Sequence, residues 1–251
     1  MTKHSAVRRR PDRKASAHLR DRPPVRAVPE GPLPFDILFQ NNQVVVIDKP
    51  SGLAVHPGPR SGASVEDWFP LLSRRKDGPW LAHRLDADTA GCLAIALRKQ
   101  ALIDMQACFA AGQVKKIYWA VVRGVPAESG VIDQPVMRVS GPAGWKMIVH
   151  PEGQSAATTW RRLGTDGTLS WLELTLHTGR THQARIHCAA IGAPVVGDPV
   201  YGGGGAGGQR LQLLSREISI PLTVPVTAVA PPPEHMRSTL IRCGWSPLRE
   251  A

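Results

Sequence analysis

The stretch His83-Arg84-Leu85-Asp86-Ala87-Asp88-Thr89-Ala90-Gly91-Cys92-Leu93-Ala94-Ile95-Ala96-Leu97 sets a polar loop directly against an apolar run. The run at residues 92–97 predicts a buried strand. The loop before it gathers a histidine, an arginine and two carboxylates, and loops held by a rigid sheet are where catalytic groups tend to sit. A plainer reading also fits these residues alone: Asp86 or Asp88 caps a turn, or pairs with Arg84 at the surface.

Working outward, residues 37–39 and 44–47 flank Asn41-Asn42 and predict a hairpin. Lys49-Pro50-Ser51-Gly52 then turns the chain. Residues 64–72 read as a short helix with Ser64 as N-cap and Asp67 three residues on, close to a capping box. Residues 99–111 read as a helix ended by Gly112, and residues 116–123 as a strand. Leu172, Leu174 and Leu176 alternate with Trp171, Glu173 and Thr175, the mark of a half-buried strand. Beyond Gly179, Ala184, His187, Cys188 and Ile191 share one helical face, stopped by Gly192. Residues 202–208 predict a flexible glycine loop. Strands follow at 211–214, 218–220 and 224–229, and Pro231-Pro232-Pro233 is expected to end the ordered region. Strands dominate without regular βαβ alternation, so the fold class is α+β.

Composition narrows the function classes. The 251 residues are 42% hydrophobic, enough for a buried core. The longest apolar runs, 44–47 and 93–97, fall far short of the roughly 20 residues that span a bilayer. No apolar run follows the basic N-terminus, so no secretory signal is expected there. Cys92, Cys108, Cys188 and Cys243 are scattered without a C-x-x-C pair, which fits a reducing cytoplasm rather than a disulfide scaffold or zinc knuckle. The net charge is +11, and residues 1–30 hold nine Lys or Arg against three acids. So uneven a surplus points to a polyanion partner. That segment has almost no apolar side chains and predicts a disordered basic arm, either gripping phosphates or simply solvated.

Phosphate-binding loops of the Walker or dinucleotide type are absent, as is a G-x-S-x-G elbow. His177, His182 and His187 recur every five residues, a spacing that does not keep them on one helical face, so no metal is expected. A second polar cluster remains, Thr178-Gly179-Arg180-Thr181-His182-Gln183-Ala184-Arg185-Ile186-His187. Its plain reading is a solvated helix start with one core histidine. Together the two clusters offer a carboxylate and a cation to pair with it, which is how a nucleophilic or basic aspartate is held ready.

Four blocks in order then make the chain resemble the RluA-type RNA pseudouridine synthases, over about residues 35–233. They are Lys49-Pro50-Ser51-Gly52 with Val55-His56-Pro57-Gly58; His83-Arg84-Leu85-Asp86; Lys116-Ile117-Tyr118-Trp119-Ala120; and Gly179 to His187 running on to Gly197-Asp198-Pro199-Val200-Tyr201-Gly202. Ala90 stands where the family usually has Ser, and Leu214-Ser215 where His-Ala is common, so a different pocket wall is expected there. The resemblance implies a catalytic core with a mixed, mostly antiparallel sheet, flanking helices and a central active-site cleft. It implies isomerisation of uridine in structured RNA, tRNA and/or 23S rRNA, with no cofactor or metal, by a cytoplasmic monomer. Asp86 matches the catalytic carboxylate, which either attacks the ribose or removes a ribose proton. Tyr118 matches the tyrosine that stacks on the base, and Arg185 the arginine paired with the aspartate. Arg84 matches a residue that assists base extrusion, and Arg180 is expected to contact RNA. The organisation expected is a basic arm at 1–34, a catalytic domain at 35–235 and a tail at 236–251, with no S4-type RNA-binding domain. The alternative function is a non-catalytic RNA-binding or RNA-chaperone protein on the same fold.

Overall fold

The computed structural model describes residues 31–58, 62–75, 77–141, 144–202 and 208–249. Residues 1–30 of the predicted basic arm, and most of the predicted glycine loop, lie outside the described residues.

Strands β1 (Ile37–Gln40) and β2 (Val44–Lys49) form the expected hairpin. Its turn is closed by Asn41, whose Oδ1 accepts from the Gln43 and Val44 N–H groups at 2.8 Å each, a local bond that asparagine supplies readily. A 3₁₀ turn over Val65–Trp68 runs into the single-turn helix α1 (Phe69–Leu72), begun by Asp67 accepting the Ser64 N–H at 2.7 Å. The short strand β3 (Trp80–Leu81) and the wholly buried β4 (Ala90–Ala96) follow, then α2 (Lys99–Ala110), which ends where Gly112 takes a left-handed φ of +67°.

Residues 115–176 are almost all strand: β5 (Lys115–Arg123), β6 (Ser129–Asp133), β7 (Val136–Gly141), β8 (Gly144–Val149), β9 (Ala157–Thr165) and β10 (Leu169–Leu176). The chain closes with α3 (Gln183–Ala190), β11 (Leu213–Ile220), β12 (Val226–Val229) and α4 (Glu234–Arg242). The two strands expected at 211–214 and 218–220 are one continuous strand, β11, with a register shift between Ser215 and Glu217 where it pairs with β5. A bulge of this kind interrupts the apolar alternation without ending the strand.

One sheet of ten strands runs in the order β1-β2-β4-β11-β5-β10-β9-β6, with β12 against β11 and β3 against β4. All of its pairings are antiparallel except β4 with β11, which run parallel through Ala90–Leu214 and Gly91–Ser215. Glycine is required at that junction. Gly91 has φ +103°, and a Cβ there would stand 2.3 Å from the Ser215 carbonyl oxygen. The fold is thus α+β with a mixed, mostly antiparallel sheet. Strands β7 and β8 form a separate hairpin.

The two faces of the sheet bury different things. Ile117, Trp119 and Val121 of β5 face a core sealed by Met105 of α2 and by Met236 and Leu240 of α4. On the other face Ala120 and Val122 pack with Ala184 and Cys188 of α3. Leu93 and Ile95 pack with Val65, Trp68 and Leu85. Tyr118 touches both of these last two clusters. The seam between them, beneath that ring, is where the cleft opens.

The expectation that order stops at Pro231–Pro233, leaving a tail from residue 236, is corrected by α4. Met236 and Leu240 are fully buried, and Gly164 of β9 lies so close that an added Cβ would collide with the Cys243 carbonyl. Proline stops a preceding element but is well suited to begin a helix. Pro233 (φ −66°) serves as the cap residue before Glu234, so the triplet is a start signal as well as a stop.

Candidate active site

The cleft holds about 1660 Å³, lined by the 81–89 loop, the start of β5, hairpin β7–β8 and the approach to α3. Sites for small molecules usually occupy roughly 300–1,000 Å³, so this volume suits a segment of polymer. Asp86, Tyr118, Arg185, Arg84 and Arg180 all line it. Residues more than 90 apart in sequence thus line one cleft.

Asp86 sits in a tight turn pinned from behind. Thr89 N–H donates to the Asp86 carbonyl at 3.1 Å, Gly52 N–H donates to the Ala87 carbonyl at 2.9 Å, and Ser51 Oγ donates to the Asp88 carbonyl at 2.8 Å. Asp88 itself is exposed, as expected for a turn residue. The Lys49 ammonium, fully buried, donates to the carbonyls of Pro50, Leu53 and Ala87 at 2.7–2.9 Å. Three carbonyl acceptors satisfy all three of its protons. Burial pulls Lys49 down to about 8, against the carboxylates of Asp88, Asp86 and Asp48, which favour the charged form. In the sequence Lys49 stands in a turn and in the first of the family blocks, with no role attached to it. A lysine is rarely buried, and nothing local in the sequence marks it.

Arg185 Nη1 donates to Asp86 Oδ2 at 3.1 Å, while its Nε and Nη2 grip Asp198 Oδ2 and Oδ1 at 2.7 and 2.8 Å. The Asp198 side chain is wholly buried, that of Arg185 5% exposed and that of Asp86 26% exposed. The guanidinium is thus locked on one edge by a buried partner and presents its other edge to the cleft. Asp198 also accepts the N–H groups of Val200 and Tyr201 at 2.8 and 3.0 Å. Burial opposes the Asp198 charge, but the Arg185 bonds and these two N–H groups outweigh it and lower its pKa. Burial likewise opposes the charge on Arg185, and Asp198 with Asp86 more than offsets it, so its pKa is raised. Asp198 belongs to a quoted sequence block, yet no role for it was legible there.

Burial pushes the Tyr118 phenol up to about 12, against a hydrogen bond with Ser215 and with the help of Asp86. A phenol holding its proton so firmly serves as a flat neutral surface. Ser215 also donates to the Cys92 carbonyl at 3.2 Å, so the departure from His-Ala in β11 becomes a link between the cleft wall and β4. Arg84 is exposed at the rim. Arg180 is exposed as well, with its Nε donating to the Ser155 carbonyl at 3.0 Å.

Gln183, missed from sequence, organises the approach to α3. Its carbonyl accepts from Thr178 Oγ1 at 2.6 Å and from the Arg180 N–H at 3.0 Å. Its amide donates to the Ala157 carbonyl and Thr158 Oγ1 at 3.0 and 2.9 Å. The three spaced histidines turn to different partners: His177 to Thr159, His182 to Tyr201, and the buried His187 to Thr158 and the Gln134 carbonyl. Among the described residues no group of three or more His, Cys, Asp or Glu is placed to hold a metal ion. The four cysteines are free and buried, and no described helix is long and apolar enough to cross a membrane.

His83, beside Arg84, is structural. Its Nε2 accepts the Ala94 N–H at 2.9 Å and its ring stacks on Phe109. Burial, with Lys116 adding to it, holds its pKa down at about 4, from 6.5. Between those values the unfolded chain takes up a proton that the folded chain refuses, so stability falls as pH drops from 6.5 toward 4. The shift is worth about 3 kcal/mol at full extent. Denaturant titrations at pH 7 and pH 4.5 should show this loss in the wild type and a smaller one in His83→Gln.

Residues 43–190 match the family model described as RNA pseudouridylate synthase. An uncharacterized RNA pseudouridine synthase of Synechocystis sp. is 37% identical over 228 residues, covering 83% of this chain and 69% of its own length. Ribosomal large subunit pseudouridine synthase D of Yersinia pestis is 36% identical over 155 residues, 60% of this chain and 47% of that relative. The solved structure of human RNA pseudouridylate synthase domain containing 4 superposes with a TM-score of 0.69 at 26% identity, covering 82% of this chain and 92% of that one. Fold, cleft and relatives together define an RNA-modifying isomerase. The chain belongs to the RNA pseudouridylate synthase family, and within it to the RluA type.

Proposed function

We propose that Asp86 is the catalytic group with which this pseudouridine synthase acts on uridines in tRNA and/or 23S rRNA stem-loops. The observation that carries the reading is the ion pair of Asp86 with an arginine locked from behind by buried Asp198. It supplies a carboxylate of fixed direction at the floor of a polymer-sized cleft. In the reaction the bond from uracil N1 to ribose C1′ breaks, the base turns, and C5 bonds to C1′. N1 gains a proton and C5 loses one.

Tyr118, Arg84 and Arg180 each have a part in this scheme. A uridine within a stem-loop must leave its stack, at a cost of a few kcal/mol, before C1′ can be reached. Stacking on Tyr118 returns roughly 1–3 kcal/mol. Arg84 at the rim assists extrusion of the base, and Arg180 contacts the backbone. The relative named for the large ribosomal subunit supports an rRNA target, and tRNA stem-loops are proposed alongside it. Pseudouridine mapping in RNA from a strain lacking this protein tests both parts. Sites lost from tRNA or 23S rRNA should return with the wild-type gene and stay absent with Asp86→Asn. Their return with Asp86→Asn would favour the binding-protein alternative.

The basic arm supplies a second expectation. Residues 1–30 carry nine Lys or Arg against three acids, and each phosphate contact adds about 0.7–0.9 to the slope of log affinity against log salt. Deleting them should raise KM for RNA and flatten its salt dependence with kcat retained; kinetics unchanged at every salt concentration would exclude a role for the arm.

A further inference from the structure

His182, which the scheme above leaves unused, stands between the β7–β8 hairpin and Asp86. It is the one non-glycine residue with positive φ among the described residues (φ 55°, ψ 16°). Such a backbone is unfavourable for an L-residue, and it persists where the surroundings over-determine it. Here they hold the ring on two sides. Trp145 of β8 stacks on it with centroids 5.2 Å apart and planes 24° apart, and Tyr201 meets it edge-on at 5.8 Å. His182 Nδ1 lies 3.0 Å from the Tyr201 hydroxyl, which accepts the Met147 N–H of the same hairpin at 3.0 Å. The hydroxyl's own proton is free to go to Nδ1, and we assign the pair in that direction. The neutral imidazole then carries its own proton on Nε2. Nε2 faces Asp86 Oδ2 at 3.8 Å, beyond hydrogen-bond length and within reach of a small rotation of the carboxylate.

We propose that His182 is a positioning residue for Asp86. Its Nε2–H closes onto Oδ2 when the base enters, leaving Oδ1 directed at the ribose, and the β7–β8 hairpin sets the ring through Trp145 and Tyr201. The inference rests on the reading of Asp86 as the catalytic group. The charged and titratable groups facing the imidazole are Asp86 from the cleft loop, Arg185 from α3, and Asp198 and Tyr201 from the segment after it. Burial lowers the His182 pKa, with Arg185 acting the same way and the two aspartates opposing. Protonation at acid pH places a second cation on Asp86 and removes Nδ1 as the acceptor for Tyr201. The chemical step should therefore slow as pH falls.

Two variants separate positioning from folding. His182→Asn tolerates the left-handed backbone and can still meet Tyr201, but it is too short to reach Asp86. His182→Gln reaches Asp86 and does not titrate. In single-turnover reactions with saturating RNA, His182→Asn should be about tenfold to a hundredfold slower, with Kd for RNA unchanged. His182→Gln should recover most of the rate, and both should lose the part of the wild-type acid limb that His182 sets. A wild-type rate and acid limb in His182→Asn, or a Kd that rises in step with the lost rate, would overturn the proposal. Asp86→Asn assayed alongside keeps the two ideas distinct. Product from Asp86→Asn sinks the reading of Asp86, whereas an inactive Asp86→Asn beside a fully active His182→Asn sinks only this inference.

Discussion

Asp86→Asn should bind RNA about as well as the wild type and form no measurable pseudouridine. The amide has the size of the carboxylate, and the Asp86 turn is held by backbone bonds and by Lys49, none of which involves the Asp86 side chain. Arg185 keeps its place as well, because the bidentate bond to Asp198 remains. What disappears is the charge, and with it the basicity and nucleophilicity that the carboxylate oxygen offers the ribose. Loss of a group that acts directly on the reacting atoms costs at least about 10³-fold in rate. Release of the C5 hydrogen from labelled uridine in RNA reads the reaction, and filter retention reads binding. A variant within tenfold of the wild-type rate would remove Asp86 from the chemistry, whatever its effect on affinity.

Asp198→Asn should damage both the fold and the reaction. Asp198 accepts four hydrogen bonds with its side chain wholly buried, two from Arg185 and two from backbone N–H groups. An asparagine turns an NH₂ group toward one of those donors and leaves the Arg185 charge half compensated in the interior. Breaking a buried pair by removing one partner costs about 3–5 kcal/mol. For a chain of this size that is a fall in Tm on the order of 10 °C. Activity should fall further than the folded fraction explains, because a released guanidinium no longer fixes Asp86. Replacing both partners at once, as Arg185→Met with Asp198→Leu, should restore part of the stability and none of the activity, since Asp86 then lacks its cation. Thermal unfolding and turnover measured on the same preparations test this. Equal losses from the single and double variants would mean the charge imbalance is not the cause.

Much of the fold is legible because its signals are local. The Asn41 turn, the Ser64–Asp67 start, the Gly112 stop and the Leu172–Leu174–Leu176 alternation each depend on residues a few positions apart, and each formed where expected. Residues 124–165 yielded no elements from sequence. Strands β6 to β9 have mixed or exposed faces, such as Val131 (69% exposed) and Trp145 (44% exposed), so period-two burial is blurred. Helix α4 is hidden because a proline triplet signals termination, while its last member precedes a helix that buries Met236 and Leu240.

The candidate site divides in the same way. Asp86, Tyr118, Arg185, Arg84 and Arg180 could be singled out from sequence because they stand in short blocks of unusual composition, in an order that the RluA-type resemblance gives meaning. The family and its reaction were therefore readable from the chain alone. Only the tertiary structure decided which partners those residues have. Asp86 meets Arg185 across 99 positions, Lys49 meets the Ala87 carbonyl across 38, and Arg185 is oriented by Asp198. His182 faces Asp86 because Trp145 and Tyr201 hold its ring in a conformation that no local preference selects. Local sequence encodes backbone preference and side-chain chemistry, whereas desolvation and charge pairing depend on which distant surfaces the packed sheet brings into contact.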